Sequence, residues 1–243
     1  MIEAKLYGRL GNQMFQYAVC RTVAKRNDYN FYIPTENRVL DGLFECDMGT
    51  KDGEIQYDYF DTEGQKFDPS VFDVKDFTRL NGFFQSEKYF NRNDVKKWFS
   101  FNITEEAQLF LDKYPPKRYC YINIRGGDHQ ISQLTLPRSY YKKAVETILM
   151  FNNTLDFIIL TDDIAWADEY FTDIPTFSHD RNTDFSLLYS ARYVISAIST
   201  FCWWACYLQD YNVTIAPRGF YAYHDGEPYW SPMDIKTNKF IWI

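Results

Sequence analysis

The chain has little of what a metal centre, a disulfide framework or a membrane span requires. Only three histidines occur in 243 residues, widely separated. The five cysteines (Cys20, Cys46, Cys120, Cys202, Cys206) form no CxxC pair, so a structural zinc site is not expected. Cys202 and Cys206 stand four apart on an expected helix, a spacing that suits packing. No run of about 18 apolar residues occurs, which argues against a transmembrane segment. Met1-Ile2-Glu3-Ala4-Lys5 lacks the charged-then-apolar build of a signal peptide. The expected setting is therefore reducing and cytoplasmic, and the N-x-T sequences at Asn102, Asn152 and Asn212 are read as chance. Basic residues are also in deficit. Lys and Arg number 26 against 33 Asp and Glu, a formal net charge of −7, which speaks against a nucleic-acid surface.

Aromatic residues are abundant instead: 20 Tyr, 21 Phe and 6 Trp make 19% of the chain. Such rings stack on sugars and bases and equally fill cores, so composition does not choose between those uses. The length suffices for one large domain or two small ones.

Residues 3–7 read as a strand, followed by Gly8-Arg9-Leu10-Gly11-Asn12-Gln13 and a helix. The apolar positions Met14, Ala18, Cys20, Val23 and Ala24 fit the helical period, and Lys25, Arg26 and Asn27 close it. Residues 31–33 form a second expected strand stopped by Pro34, and residues 36–75 are polar and expected to be loop-rich. Gly82 is expected to bend a strand within residues 81–86. A second organisation follows a helix at 104–113 and the Tyr114-Pro115-Pro116 break. It comprises strand 119–124, helix 139–150 with Ser139 as N-cap, strand 155–160 and helix 163–170. Helical residues 186–189, strand 193–198, helix 201–208 and a last strand 213–216 complete it. Strands alternating with helices imply an α/β chain with a parallel sheet covered on both faces. The proline pair suggests two Rossmann-like halves, 1–115 and 116–243. Ligands in such sheets bind at the C-terminal strand ends.

Three post-strand turns of the second half carry polar residues there. In Asn123-Ile124-Arg125-Gly126-Gly127-Asp128-His129, an arginine beside two glycines allows close approach of a phosphate and a forked, charge-assisted contact. An Arg–Asp pair beside a tight turn is the plainer reading. Asp162 and Asp163 could cap the next helix, orient a sugar hydroxyl or bind a metal, with capping expected for at least one. Ser199-Thr200-Phe201 opens a helix, either as an anion site or as a simple N-cap. In the first half, Asn12 and Gln13 could bind sugar hydroxyls.

Together these pieces carry a resemblance to a known family. GRLGNQMFQYA (8–18) resembles the N-terminal signature of glycosyltransferase family 11, the alpha-1,2-fucosyltransferases. The likeness continues through NGFFQSEKYF (81–90), YCYINIRGGDH (119–129), LPRSYYKKAV (136–145) and LTDDIAW (160–166). It then covers DFSLLYSARYVISAISTFCWWACYL (184–208) and TIAP (214–217). The resemblance implies a GT-B-like fold of two Rossmann-type halves, an acceptor-side N-terminal domain and a donor site in the C-terminal half. It implies an inverting, metal-independent transferase with no cofactor, using GDP-fucose as donor and a galactose-containing glycan as acceptor. By the same resemblance Arg125 contacts the donor's β-phosphate, and Ser199, Thr200 and Phe201 complete the phosphate cradle. Asp184 reads guanine, Asp162 and Asp163 line the donor side, and Asn12 and Gln13 lie on the acceptor side. Family members usually read His-x-Arg-Arg-Gly-Asp at the Arg125 turn. Here Asn123 replaces the histidine near the nucleoside, and Gly126 replaces the second arginine, which leaves the donor sugar open. Cys202 stands where serine is common.

Asp128 and His129 are the candidate bases that would accept the acceptor hydroxyl's proton. Asp128 could instead brace Arg125 or the loop, and His129 could be an ordinary exposed histidine. Of Trp203 and Trp204, adjacent on a helix and about 100° apart, at least one is expected in the core. The function expected is transfer of L-fucose to the 2-hydroxyl of a galactose-like acceptor. The alternatives are GDP-dependent transfer of another deoxyhexose, or a glycan- or nucleotide-binding pseudoenzyme.

Overall fold

A computed structural model of the chain describes residues 1–62, 66–131, 134–220, 222–224, 227–230 and 232–243. The side chains of residues 128, 131, 222–224 and 227–230 lie outside that description. The chain divides into two compact units, Met1–Asn102 with Pro232–Lys236 and Ile103–Ser231 with Thr237–Ile243. Pro115 and Pro116 lie inside the second unit, between a helix and the strand it leads into.

In the first unit β1 (Ile2–Lys5) runs into helix α1 (Leu10–Asn27), and the chain returns as β2 (Phe31–Tyr32), parallel to β1. The helix starts at Leu10, ahead of the first apolar position that its period suggests. Gln13 and Gln16 explain the difference, because both are buried with their amides bonded to loop backbone. A polar residue here does not mark a solvent face. Asp28, in the left-handed region at φ 57°, closes α1 after Lys25 and Arg26, whose charges suit the terminal carbonyls.

Among its described residues the stretch expected to be loop-rich contains a strand, β3 (Tyr57–Phe60), and a 3₁₀ turn, Pro69–Asp73. β3 escapes a pattern search because it buries no face; Phe60 is 69% exposed. Strand β4 (Thr78–Asn81) ends before Gly82 and so does not bend at it. A second 3₁₀ turn, Glu87–Tyr89, and helix α2 (Arg92–Trp98), capped by Asn91, follow. The sheet order is β2-β1-β4-β3, all parallel. The rings of Tyr17 and Phe44 each meet Phe99 at 5.2 Å in the core of this unit.

The second unit opens with α3 (Glu105–Lys113), whose N-cap Thr104 accepts from the Ala107 N–H. Then come β5 (Tyr119–Ile124), the short α4 (Asp128–Ile131), α5 (Arg138–Leu149), β6 (Asp156–Thr161) and α6 (Ile164–Asp168). The chain continues through β7 (Thr176–Phe177), α7 (Arg181–Ser190), β8 (Tyr193–Ile195), α8 (Thr200–Leu208) and β9 (Val213–Ala216). An antiparallel hairpin, β10 (Ala222–His224) and β11 (Glu227–Trp230), precedes β12 (Phe240–Trp242). β9 is therefore not the last strand, since β12 pairs parallel with it. The order is β12-β9-β8-β5-β6-β7, with every neighbouring pair parallel.

Alternate residues of β5 serve opposite layers. Cys120, Ile122 and Ile124 join the cluster built by Tyr140, Tyr141, Ala144 and Ile148 of α5. Tyr121 points to the other layer, where its ring lies 6.4 Å from Phe110 of α3. Both faces are covered, which is why the strand reads as a continuous apolar run. Removing Ile148 to Ala would cost about 2–5 kcal/mol through transfer and cavity terms. Ser139 does not cap α5: Pro137 holds the N-cap position with extended backbone and no side-chain cap, and Ser139 lies inside the helix. Both Trp203 and Trp204 are core, with Trp203 stacked on Tyr207 at 4.4 Å. Cys202 and Cys206 are fully buried packing residues. Among the described residues no helix is long and apolar enough to cross a membrane.

Candidate active site

In the six-stranded sheet the strand order reverses at β5, with β6 on one side and β8 on the other. Crevices at such switch points, outside the carboxyl ends of the strands, are where open α/β sheets bind ligands. The turns after β5, β6 and β8 all open there. These are the three turns singled out by the sequence.

Strand register sets the first contact. Ile124 of β5 pairs with Thr161 of β6, so the next residues, Arg125 and Asp162, emerge side by side. Arg125 Nη1 lies 3.0 Å from Asp162 Oδ2, with side-chain exposures of 17% and 28%. The other carboxylate oxygen of Asp162 accepts from the Gly126 N–H at 3.0 Å. One carboxylate thus holds both the guanidinium and the backbone that follows it. The ion pair has its acid on the neighbouring strand's turn and orients a cation at the strand end; the turn's own acid, Asp128, has its side chain outside the described residues.

Asp163 does different work. Its Oδ1 accepts from the Trp166 N–H at 3.1 Å as the N-cap of α6. Its Oδ2 accepts from Gly127 N–H at 3.3 Å and from Gln130 Nε2 at 3.0 Å. It therefore ties the Arg125 turn to α6, and capping is its main role, as expected for one of the pair. Gly127 turns the chain at φ 49°, a left-handed conformation that favours glycine. Gly126 is held by space: a Cβ there would stand 2.7 Å from Asp163 Cβ and 3.0 Å from Trp166 Cδ1.

On the other side of β5, Ser199 caps α8 by accepting from the Cys202 N–H at 3.2 Å. Thr200 and Phe201 form the first turn of that helix, where the helix dipole makes the start electropositive. Phe201 packs edge-on against Phe185 of α7 at 5.2 Å. Asp184, one residue earlier in α7, sits in the first turn of its helix. Burial raises its pKa, whereas a hydrogen bond to His179 and the charges of His179 and Arg125 pull it back. Arg125 and Asp184 are thus within electrostatic reach of each other. Asn123 is buried and donates weakly to the Leu160 carbonyl at 3.4 Å. Its Oδ1 has no hydrogen-bond partner among the described residues.

Of the two candidate bases, Asp128 begins α4, and its side chain lies outside the described residues. His129 is 8% exposed, so it is not the ordinary surface histidine of the alternative reading. The turn folds it inward, since its N–H donates to the Gly126 carbonyl at 2.9 Å.

The first-unit candidates belong to a different local structure. Gln13 is fully buried, donating to the carbonyls of Gly8 at 3.2 Å and Asn37 at 2.7 Å and accepting from Val39 N–H at 2.8 Å. It clamps two loops, which leaves its amide without a face for a sugar hydroxyl. Asn12 Oδ1 accepts from Gln85 Nε2 at 2.9 Å and so joins the turn after β1 to the segment after β4. Sequence reasoning missed His179, whose Nδ1 lies 3.1 Å from Asp184 Oδ1. Its only sequence signal is its place beside the α7 cap, five residues before Asp184.

The model of Glycosyl transferase family 11 matches residues 50–226 of this chain. An alpha-1,2-colitosyltransferase of Escherichia coli is 28% identical over 272 residues, covering 91% of this chain and 92% of that protein. The human galactoside alpha-(1,2)-fucosyltransferase 1 is 26% identical over 83% of this chain and 63% of its own length. The chain thus spans less than two thirds of that vertebrate relative. POFUT1, solved in complex with GDP, superposes with a TM-score of 0.56 at 12% identity, covering 86% of this chain and 94% of that one. The alpha-1,6-fucosyltransferase NodZ, soaked with GDP-fucose, gives 0.54 at 11% identity, covering 86% and 92%. These likenesses show the fold, the GT-B-like arrangement of parallel α/β sheets that the sequence motifs imply. With the motifs in order and the family model matching most of the chain, this protein belongs to glycosyltransferase family 11.

Proposed function

We propose that the protein is an inverting, metal-independent transferase that moves L-fucose from GDP-fucose to the 2-hydroxyl of a galactose-like acceptor in glycan synthesis. The observation that carries this reading is Arg125, fixed by Asp162 at the sheet's switch point and flanked by the α8 N-terminus. A guanidinium there would neutralise the charge that grows on a departing nucleoside diphosphate, the task a divalent cation performs in other transferases. The names of the relatives, and the GDP ligands of the POFUT1 and NodZ structures, support the choice of nucleotide.

The remaining roles follow from chemistry. The Asp184 carboxylate offers two acceptor oxygens to the paired N–H donors of guanine, an edge that uracil lacks. Ser199, Thr200 and Phe201 cradle the phosphates through the helix start, and Asn123 hydrogen-bonds near the nucleoside. Asp128 or His129 takes the acceptor's proton late in the displacement. Asn12 stands on the acceptor side, and the proposed setting is the cytoplasm.

A second reading, transfer of another GDP-activated deoxyhexose, is favoured by Gly126. A side chain in place of the family's usual second arginine would crowd Asp163 and Trp166, whose atoms lie 2.7 and 3.0 Å from a Cβ built there. The Escherichia coli relative named for colitose transfer matches over 92% of its length.

Thermal-shift measurements with nucleotide sugars, followed by product analysis on simple β-galactosides, test both readings. The expected result is stabilisation by GDP and its sugars and a 2-linked product formed equally well with a chelator present. Stabilisation by UDP alone would remove the guanine assignment, and faster transfer of a different deoxyhexose would select the second reading. Binding of GDP with neither transfer nor donor hydrolysis would make the chain a binding protein.

A further inference from the structure

We propose that His179 is a positioning residue for base selection, holding the Asp184 carboxylate in the orientation in which it reads guanine. This rests on the donor reading above and goes one residue beyond it.

The geometry starts with the imidazole, which has little freedom. It stacks on Phe177 of β7, with planes 16° apart and centroids at 6.2 Å, and meets the Phe110 ring of α3 edge-on at 5.1 Å. Its side chain is 11% exposed. Clamped between a strand and a helix, the ring aims Nδ1 at Asp184 Oδ1, 3.1 Å away. An ionised carboxylate only accepts hydrogen bonds, so Nδ1 carries the proton in this contact whatever the state of Nε2. The orientation therefore survives loss of the imidazolium charge.

The neighbouring carboxylate does not compete. Asp180 caps α7, accepting from Asn182 N–H at 2.8 Å and from Thr183 Oγ1 at 2.6 Å. Glu106 of α3 places Oε2 3.4 Å from the same Thr183 hydroxyl, whose one proton goes to the nearer Asp180. Among the described residues Asp184 is the carboxylate bonded to His179 Nδ1, and it remains partly open, at 18% exposure. The imidazole contact is made through Oδ1, which retains a second lone pair, so that oxygen and Oδ2 both have acceptor capacity for a pair of ligand N–H groups.

Ionisation adds a second reason. Burial disfavours the charged form of Asp184, and a protonated acid would present an O–H where a guanine edge needs an acceptor. The charged groups facing this pair are Asp180, Glu106 and Arg125; the first two raise the His179 pKa and the last lowers that of Asp184. His179 thus supports the carboxylate in its accepting form.

Affinities for GDP and for inosine diphosphate, which lacks guanine's exocyclic amine, separate this role from simple packing. Calorimetry on the full chain compares wild type, His179→Phe, His179→Asn and Asp184→Asn. His179→Phe keeps an aromatic ring and removes the donor. It should lower GDP affinity roughly tenfold, narrow the GDP-to-inosine ratio and leave kcat at saturating donor unchanged. His179→Asn restores a donor near the Nδ1 position and should recover most of the ratio. It also serves as the readout if the Phe variant does not fold. An unchanged ratio in His179→Phe, or in both variants, with the ratio lost in Asp184→Asn, would overturn the proposal while leaving the guanine reading intact. A ratio unchanged in Asp184→Asn would overturn the guanine reading itself.

Discussion

After β1 the chain turns through Gly8 and Arg9 into α1, and after β5 it turns through Arg125, Gly126 and Gly127 into α4. Both turns leave an inner strand of a parallel sheet, and both use a glycine at positive φ, 69° at Gly8 and 49° at Gly127. Their polar residues are used differently. In the first, neutral amides do the holding. Gln13 joins Gly8, Asn37 and Val39, and Gln16 bonds the N–H and carbonyl of Tyr7 at 3.0 and 3.4 Å. In the second, charges do it, through Arg125, Asp162 and Asp163. Buried amides can satisfy backbone groups without a large desolvation penalty, so they suit a fixed scaffold. A partly buried ion pair that keeps some exposure leaves a cation oriented and reachable, which suits contact with an anion.

If that contrast is right, substitutions in the two turns separate stability from ligand use. Arg125→Ala should reduce GDP-sugar turnover about 10²–10³-fold, since it removes the main charge opposite the leaving group. Its unfolding midpoint in urea should move little, because the lost pair is partly solvated. Wild-type kinetics in that variant would remove the phosphate role. Gln13→Ala should behave in the opposite way. It strands the Val39 N–H and two carbonyls in a buried loop, at about 2–4 kcal/mol in chemical denaturation, with GDP affinity nearly unchanged. A small stability change there would mean that the loops satisfy themselves without the clamp.

Gly126→Ala probes the boundary between the two behaviours. Its methyl would press on the Asp163 cap, and about 1–3 kcal/mol of destabilisation should accompany weaker donor binding. Stability loss without any binding change would show that the turn can shift without moving Arg125.

The smallest effect concerns pH. His179 and Asp184 both bind protons more tightly in the folded chain than their ordinary values of 6.5 and 3.8 imply. Their contributions are complete below those values and are lost as pH rises through each folded pKa. Urea midpoints between pH 6 and 8 should therefore fall slightly with pH, and His179→Phe should flatten that slope. An equal slope in the variant would assign the trend to other groups.

Much of the second unit was legible in the sequence, and for a physical reason. β5 spans the residues its apolar run suggests, and β9 agrees as well, because strands covered on both faces must be apolar throughout. Asp163 and Ser199 cap helices, a local interaction that depends only on residues three positions away. The first unit was less legible. β3 buries no face, β2 is two residues long, and α1 is buried around most of its surface with two glutamines inside. Periodicity has little to report where burial does not alternate.

The sequence by itself determined the alternating α/β order, the placement of polar turns after apolar strands, and the family through its motifs. Tertiary structure decided which of those polar groups meet. Register across β5 and β6 put Asp162, 37 residues away in the chain, beside Arg125 as its ion-pair partner. Packing of α3 and β7 brought the His179 ring to Asp184, and loop closure over α1 took Gln13 out of reach of a ligand. Side-chain partners depend on strand order and helix packing, which bring together residues that sequence spacing leaves far apart.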